Sequence, residues 1–552
     1  MNPASPATLV ERIALAAQQG RGTITFAGPD PASALELPWS QLHEDARAMA
    51  AGLQARGVQP GDHVALLSPT SRGLVTAIQA SWLAGATVVV LPLPMRLGSF
   101  EEFVAHTRAR VATADSALVV IDGDLAGFLE PAPGDPPRVL LSELAGRPDD
   151  LVAPPPDPNR LAVIQFTSGS TSDPKGVMLT DRNILSNLDG VMAASHFDPD
   201  SDVIVSWLPL YHDMGFLGML TIPMITGAPM KLAGPQDFMS APARWVEWMS
   251  HYRGTCTAGP NFSYALSARA LRRLSGLDLR PWRIALNGAE PIDPATVEAF
   301  CAAGAPHGLD PGAAFPAFGM AEVTIGGTFP KPGTGLRTDV VDRRVLEADH
   351  YAAPSIEGPG TRALPLLGRP LGDLEIRICD PQTGSVMSER EVGELQLRGT
   401  SVTSGYYKRP DATAEAFDGE WLKSGDLAYL VDGELVVCGR IKDVIIVGGR
   451  NVFPEDVERA AAAVEGVRAG NVIAFGVTGR RGREAVVVVA ETRAEDPDPV
   501  RKEVTSRVID AIGIPPEDVV LVPPGSLPKT SSGKLQRSLC RSRYLDSALT
   551  SV

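Results

Sequence analysis

Short apolar runs rich in β-branched residues alternate along this chain with Ala- and Leu-rich stretches whose apolar positions recur at helical spacing. Residues 63–67 (HVALL) precede a helical pattern over 71–83, and residues 117–121 follow one over 101–111. Repeated strand-then-helix order is the pattern of parallel strands joined by crossover helices, so an α/β fold is expected. The most apolar run, 86–93 (ATVVVLPL), is too short to cross a bilayer and reads as a buried strand. Residues 154–158 (PPPDP) make a stiff connector. Residues 325–365 carry Gly, Pro and charge with little periodicity and read as a long insertion or ordered loop.

The pattern changes near residue 440. A short apolar run at 444–447 is followed by a helical stretch at 454–464, strand-like runs at 471–475 and 485–490, and a helical pattern over 500–512. These make a small α+β unit of their own. A chain of 552 residues exceeds one compact core. The expectation is a large N-terminal domain, 1–440, of mixed sheets flanked by helices, with a small C-terminal α+β domain, 441–552.

Composition narrows the functional classes. Fifty basic and 65 acidic residues give a net charge of −15, which argues against a general nucleic-acid or bilayer binder. Five scattered cysteines without a CxxC pair suggest reduced thiols in a cytoplasmic protein. Residues 1–19 lack a long apolar core, and neither a signal peptide nor integral membrane association is expected.

The strongest local signal is FTSGSTSDPKG at 166–176. Glycines let backbone N–H groups approach an anion, hydroxyls donate further bonds and the lysine adds charge, which is phosphate-binding chemistry. The spacing is not that of a Walker A loop. On composition alone a plain Ser/Gly linker explains the segment equally well. No GxSxG nucleophile elbow is present, which removes a serine-hydrolase reading.

Further segments follow in order: WLPLYHD at 207–213, NGAEP at 287–291, FGMAE at 318–322, SGDL at 424–427, GRIKD at 439–443 and PKTSSGK at 528–534. The ordered set resembles the adenylate-forming superfamily of acyl-CoA synthetases, luciferases and nonribosomal adenylation domains. The resemblance implies ATP and Mg²⁺ as cofactors and a small C-terminal domain that is mobile. It assigns ATP binding to Thr167, Ser168, Gly169, Ser170, Thr171, Lys175, Gly288, Ala289, Glu290, Phe318, Gly319, Met320, Ala321, Asp426, Arg440 and Lys534. Phe318 would lie on the adenine face, where the superfamily usually has Tyr. Asp426 would accept the ribose hydroxyls, Arg440 would point at ribose or phosphate, and Glu322 would hold Mg²⁺. Lys534 would bridge the carboxylate and the α-phosphate, with Glu322 and Thr167 completing the catalytic set. His212, Asp213 and Met214 would lie on the acid-substrate side, His212 as a gate rather than a general base. Lys442 would be the hinge. Taken singly, each also has an ordinary reading: core aromatic, helix cap, surface charge or exposed lysine.

Within the superfamily the chain resembles the fatty acyl-AMP ligases most. The likeness lies in residues 206–215 (SWLPLYHDMG), 258–262 (AGPNF), 319–324 (GMAEVT) and the region 326–368. Ser172 stands where those ligases usually have Gly. The likeness implies a fatty acid substrate and an acyl carrier protein as acceptor, because an insertion limits domain movement and disfavours free CoA. Removing residues 328–362 is then expected to raise CoA use. Basic residues Arg480, Arg481, Arg483, Arg537, Arg541 and Arg543 are candidates to meet an acidic carrier. The rival readings are a fatty acyl-CoA synthetase and a non-catalytic binding protein on the same fold.

Overall fold

The computed structural model describes residues 7–28, 33–94, 100–167, 175–447, 450–479, 484–530 and 533–552. Two large sheets form the N-terminal part. One runs in the order Arg138–Leu140, Ser116–Ile121, His63–Leu67, Thr87–Val90, Leu161–Phe166, Gly176–Thr180, parallel except for its last pair. The other runs Ala314–Pro316, Ile284–Asn287, Cys256–Gly259, Ile204–Ser206, Met230–Leu232, Thr23–Phe26, Leu35–Pro38, again parallel except at the end. His63–Leu67 is buried along its whole length. That is why it reads as a continuous apolar run rather than an alternating one: both of its faces are covered. Helices Trp39–Ala55 and Arg72–Leu83 lie between the sheets. Their Trp39, Leu42 and Trp82 share one core with Val64 and Leu118 of the first sheet and Ile204 and Met230 of the second. Trp82 is fully buried, and its indole N–H is satisfied by the Ala162 carbonyl at 3.0 Å.

An antiparallel sheet of Glu375–Cys379, Gly393–Arg398, Trp421–Val431 and Glu434–Arg440 follows. The small C-terminal domain then builds a core of its own from Ile445, Val457, Val488, Val504, Val508 and Leu521. Its helix Pro497–Ile512 shows why the boundaries fall where they do. Asp496 caps the first turn through the Asp498 N–H, proline opens it, Val500, Val504 and Val508 recur every fourth residue on the buried face, and Gly513 closes it at φ 70°. Among the described residues no helix is long and apolar enough to cross a membrane.

The region 325–365 departs from its reading as a loop. It contains strand Gly326–Phe329, strand Thr338–Asp342, helix Arg343–Asp349 and strand Thr361–Pro365, the second and last strands pairing antiparallel. The strands are short and their alternation is broken by charge, so the periodicity that would announce them is absent.

Candidate active site

Loops leaving the carboxyl ends of the parallel strands converge on one side of the large domain, the position where open α/β sheets place ligands. Thr167 follows Leu161–Phe166, and its N–H meets the Lys175 carbonyl at 3.1 Å, closing the neck of the hydroxyl- and glycine-rich segment. Ser168, Gly169, Ser170 and Thr171, with Ser172, lie outside the described residues. Lys175 puts its ammonium 4.8 Å from the centre of the Tyr406 ring. Gly288, Ala289 and Glu290 follow strand Ile284–Asn287, Ala289 in a left-handed conformation at φ 69°. Glu290 accepts the Phe262 N–H at 2.6 Å.

Phe318 and Gly319 form a short strand paired with Gly326–Phe329. A Cβ on Gly319 would lie 1.9 Å from the Ile325 carbonyl oxygen, so only glycine fits there. Met320 then leads into the turn Ala321–Val323, which carries Glu322. Burial raises the Glu322 carboxyl above its ordinary value, against the pull of a hydrogen bond from the Tyr406 hydroxyl at 3.0 Å. Thr324, next in line, is buried and β-branched yet held at φ 79°. Such strain persists only where its surroundings enforce it; here the Thr324 hydroxyl is tied to the Ser401 carbonyl at 2.9 Å.

Asp426 and Arg440 are directly opposite across two antiparallel strands, with Arg440 Nε 3.1 Å from Asp426 Oδ1. Asp426 is 5% exposed and burial pushes its carboxyl up to about 6, although Arg440 pulls the other way. Lys442 sits two residues on, exposed, in the turn Ile441–Asp443.

His212, Asp213 and Met214 come between strand Ile204–Ser206 and the π-helical segment Met214–Thr221. Gly215 is obligatory here, since a Cβ would come within 2.4 Å of the Pro209 oxygen. Gln165 anchors the loop through its amide to the Tyr211 carbonyl at 2.9 Å. From the small domain, Lys534 reaches this loop: its Nζ lies 3.2 Å from His212 Nε2, while His212 Nδ1 lies 2.6 Å from Asp213 Oδ1. Burial lowers the Lys534 pKa, and the charges of Asp213 and Glu290 oppose that. Burial pushes the Asp213 carboxyl up, but His212 and Lys534 outweigh it and hold it below its ordinary value. The chamber therefore gathers Lys534, Arg440, Asp213, Glu290, Glu322 and Asp426 within electrostatic reach of one another.

Sequence reasoning missed Tyr406, which joins Glu322 to Lys175, and nothing in the local pattern around SGYYKR marks it. It also missed the way 325–365 meets the small domain. Arg362, 3% exposed, sets its Nε 3.0 Å from Asp456 Oδ1, lies over the Phe453 ring at 4.5 Å and donates to the Cys438 carbonyl at 2.8 Å. Arg450 Nε donates to the fully buried Glu347 at 3.0 Å. One expectation is corrected: Arg537 is no docking residue, because its guanidinium is spent on Asp443 at 2.7 Å and Glu458 at 2.8 Å inside the domain. Arg480, Arg481 and Arg483 lie outside the described residues, and Arg541 remains exposed.

Residues 16–407 match the family described as AMP-binding enzyme. Rv1013 of Mycobacterium tuberculosis, named only as a ligase, is 40% identical over 522 residues, 92% of this chain and 95% of that protein. FadD26 of Mycobacterium marinum, a long-chain-fatty-acid–AMP ligase by name, is 33% identical, covering 92% and 91%. FadD25 of Mycobacterium tuberculosis, named as a fatty-acid–CoA ligase, is 34% identical, covering 93% and 92%. Among solved structures, one from work on fatty acyl-adenylate ligases of E. coli and L. pneumophila superposes with a TM-score of 0.91 at 31% identity, covering 99% of both chains.

Proposed function

This chain belongs to the AMP-binding enzyme family, and on that premise we propose that it is a fatty acyl-AMP ligase: it activates a fatty acid with ATP as acyl-AMP, releases pyrophosphate, and passes the acyl group to the phosphopantetheine thiol of a carrier protein. The observation that carries the adenylation step is Lys534 reaching from the small domain to His212 and Asp213, close to Glu290 and Arg440. A carboxylate oxygen attacks the α-phosphorus there and pyrophosphate leaves. The enzyme's contribution is positioning and charge neutralisation, as in phosphoryl transfer generally. Lys534 meets the negative charge that builds on the carboxylate and α-phosphate; Asp426 receives the ribose hydroxyls; Phe318 lies on the base; Thr167, Lys175 and the hydroxyl-rich segment between them take the phosphates.

Mg²⁺ fits this arrangement. Among the described residues no cluster of three His, Cys, Asp or Glu side chains could cage a metal. Mg²⁺ commonly uses one carboxylate together with substrate phosphates and water. Glu322 would be that carboxylate, steadied on one oxygen by Tyr406. When bound, the ion supplies charge neutralisation at the triphosphate.

The contacts of Glu347 and Arg362 with the small domain support a carrier protein as the acceptor. We take the domains to meet at about residue 440, with Lys442 as hinge. Rotation about that hinge would pull Arg362 from Asp456 and Arg450 from Glu347. Parting a buried pair so that one charge stays buried costs about 3–5 kcal/mol, a restraint that free CoA would have to overcome with its own binding. The CoA-synthetase reading shares every adenylation residue and differs only here, and the similarity to FadD25 keeps it as the rival. Pyrophosphate release on adding ATP, Mg²⁺ and a panel of fatty acids, with mass spectrometry of the adenylate, tests the first step. No release with any acid would refute it and leave a binding protein on the same fold.

A further inference from the structure

The ammonium of Lys534 has three N–H groups and no acceptor. Its 3.2 Å contact with His212 Nε2 is therefore a hydrogen bond only if that nitrogen keeps its lone pair. The other ring nitrogen explains why it does. Nδ1 lies 2.6 Å from Asp213 Oδ1, so the single proton of a neutral imidazole resides there. The Met214 N–H also faces Nδ1, at 3.3 Å, but its shorter bond is to Asp213 Oδ1 at 2.7 Å. The imidazole is held between a carboxylate of its own loop and an ammonium from the other domain. Glu290 and Arg440 are the further charged groups that act on Lys534, and Glu322 lies near Asp213.

We propose that His212 is a positioning residue for Lys534: Asp213 fixes its tautomer, its Nε2 takes one ammonium N–H, and the remaining two are aimed at the substrate carboxylate and the α-phosphate. This rests on the adenylation reading above and adds what that reading lacks, a reason for a long flexible side chain to arrive at one place. Four rotatable bonds separate the Lys534 ammonium from its backbone. The backbone itself is held by the Thr530 hydroxyl at 3.1 Å, a bond that leaves the orientation of the ammonium open. An acceptor on the facing domain does, and it also makes closure of the small domain and alignment of the ammonium one event. A misplacement of 1 Å at such a group costs on the order of a hundredfold in rate.

The test compares the full-length wild type with His212→Leu, His212→Gln and Asp213→Asn. The readouts are adenylate formation at saturating ATP, and, separately, transfer from supplied acyl-AMP to a pantetheine thiol. His212→Leu should slow adenylate formation about a hundredfold and transfer from supplied acyl-AMP far less, since Lys534 is withdrawn in that step; a thermal melt matching wild type reports an intact fold. His212→Gln, whose amide oxygen can accept the Lys534 N–H, should recover most of the loss. Asp213→Asn, whose amide can donate to Nδ1 and so favour the wrong tautomer, should also slow adenylate formation. Equal losses in the Leu and Gln variants would overturn the relay. Absence of adenylate formation by the wild type would overturn the adenylation reading itself, and this inference with it.

Discussion

At the scale of single residues the proposed mechanism separates groups that act in one half-reaction from groups that act in both. Lys534, brought to His212 by the small domain, would belong to adenylation alone. Lys534→Ala should slow acyl-AMP formation by about 10²–10³-fold, the loss typical of removing one preorganised donor to developing charge. Transfer from supplied acyl-AMP should stay near wild type; measuring the two steps separately checks this, and equal losses in both would contradict the assignment. Asp426 carries a pH signature. Its folded value, about 6, lies above the ordinary 3.8, so the folded chain holds that proton more tightly than the unfolded chain. Stability therefore declines as pH rises from about 4 to about 6 and stays lower above that. The role proposed for Asp426 needs the opposite state, because only the ionised carboxylate would give the ribose hydroxyls a charged acceptor. Asp426→Asn should raise the melting temperature of the ligand-free protein at neutral pH by roughly 2–4 °C while weakening ATP about 10–100-fold. In the wild type, kcat/KM for ATP should fall as pH drops through about 6, and the variant should lose that dependence. A wild-type profile flat to pH 5 would contradict the role. Residues such as Lys534, Glu322 and Asp426 were legible because their segments come in a recognisable order. Tyr406 was not, because its partners Glu322 and Lys175 are 84 and more than 200 positions away and only the fold joins them.

At the scale of elements, legibility followed burial. Strands covered on both faces and helices with a regular apolar stripe, such as His63–Leu67 and Pro497–Ile512, were readable to within a few residues. The region 325–365 was not, because its elements are short and its anchors are buried charges, Glu347 and Arg362, paired with residues of the small domain. Hydropathy assigns such charges to solvent. The same observation narrows the experiment on this region. Removing 328–362 would take Thr328 and Phe329, the strand that pairs with Phe318 and Arg369, and so damage the adenine side of the pocket. Arg362→Met is the sharper tool. It leaves Asp456, 3% exposed, without its buried partner in the adenylation arrangement, a penalty of about 3–5 kcal/mol that rotation into solvent relieves. The variant should therefore spend more time away from that arrangement: adenylation slower, acyl-CoA formation faster by ten- to a hundredfold, with thioester yields read by mass spectrometry. Arg362→Met combined with Asp456→Leu restores an apolar contact and should return CoA use toward wild type. No change in either would remove the restraint from the argument.

At the scale of the whole molecule the question is which thiol completes the reaction. The chain bears a net charge of −15, so an acidic carrier protein approaches against the average field and must find a local basic surface. With Arg537 turned inward, the exposed Arg541 on helix Arg537–Leu545, with the neighbouring Arg543, is the part of that surface within the described residues. A carrier brings its pantetheine arm at high effective concentration once docked, and docking energy can be set against the cost of parting Arg362 from Asp456 and Arg450 from Glu347. Free CoA has no comparable contact, and each 1.4 kcal/mol it lacks lowers transfer tenfold. With ATP and fatty acid the enzyme should accumulate acyl-AMP, make little acyl-CoA and load a cognate holo-carrier. Arg541→Glu with Arg543→Glu should cut loading about tenfold or more, mainly through slower association that salt no longer affects, while acyl-AMP formation is unchanged. Loading followed by intact-mass analysis at two ionic strengths checks this. Rapid stoichiometric acyl-CoA formation by the wild type would make CoA the acceptor, with the adenylation chemistry left as it stands.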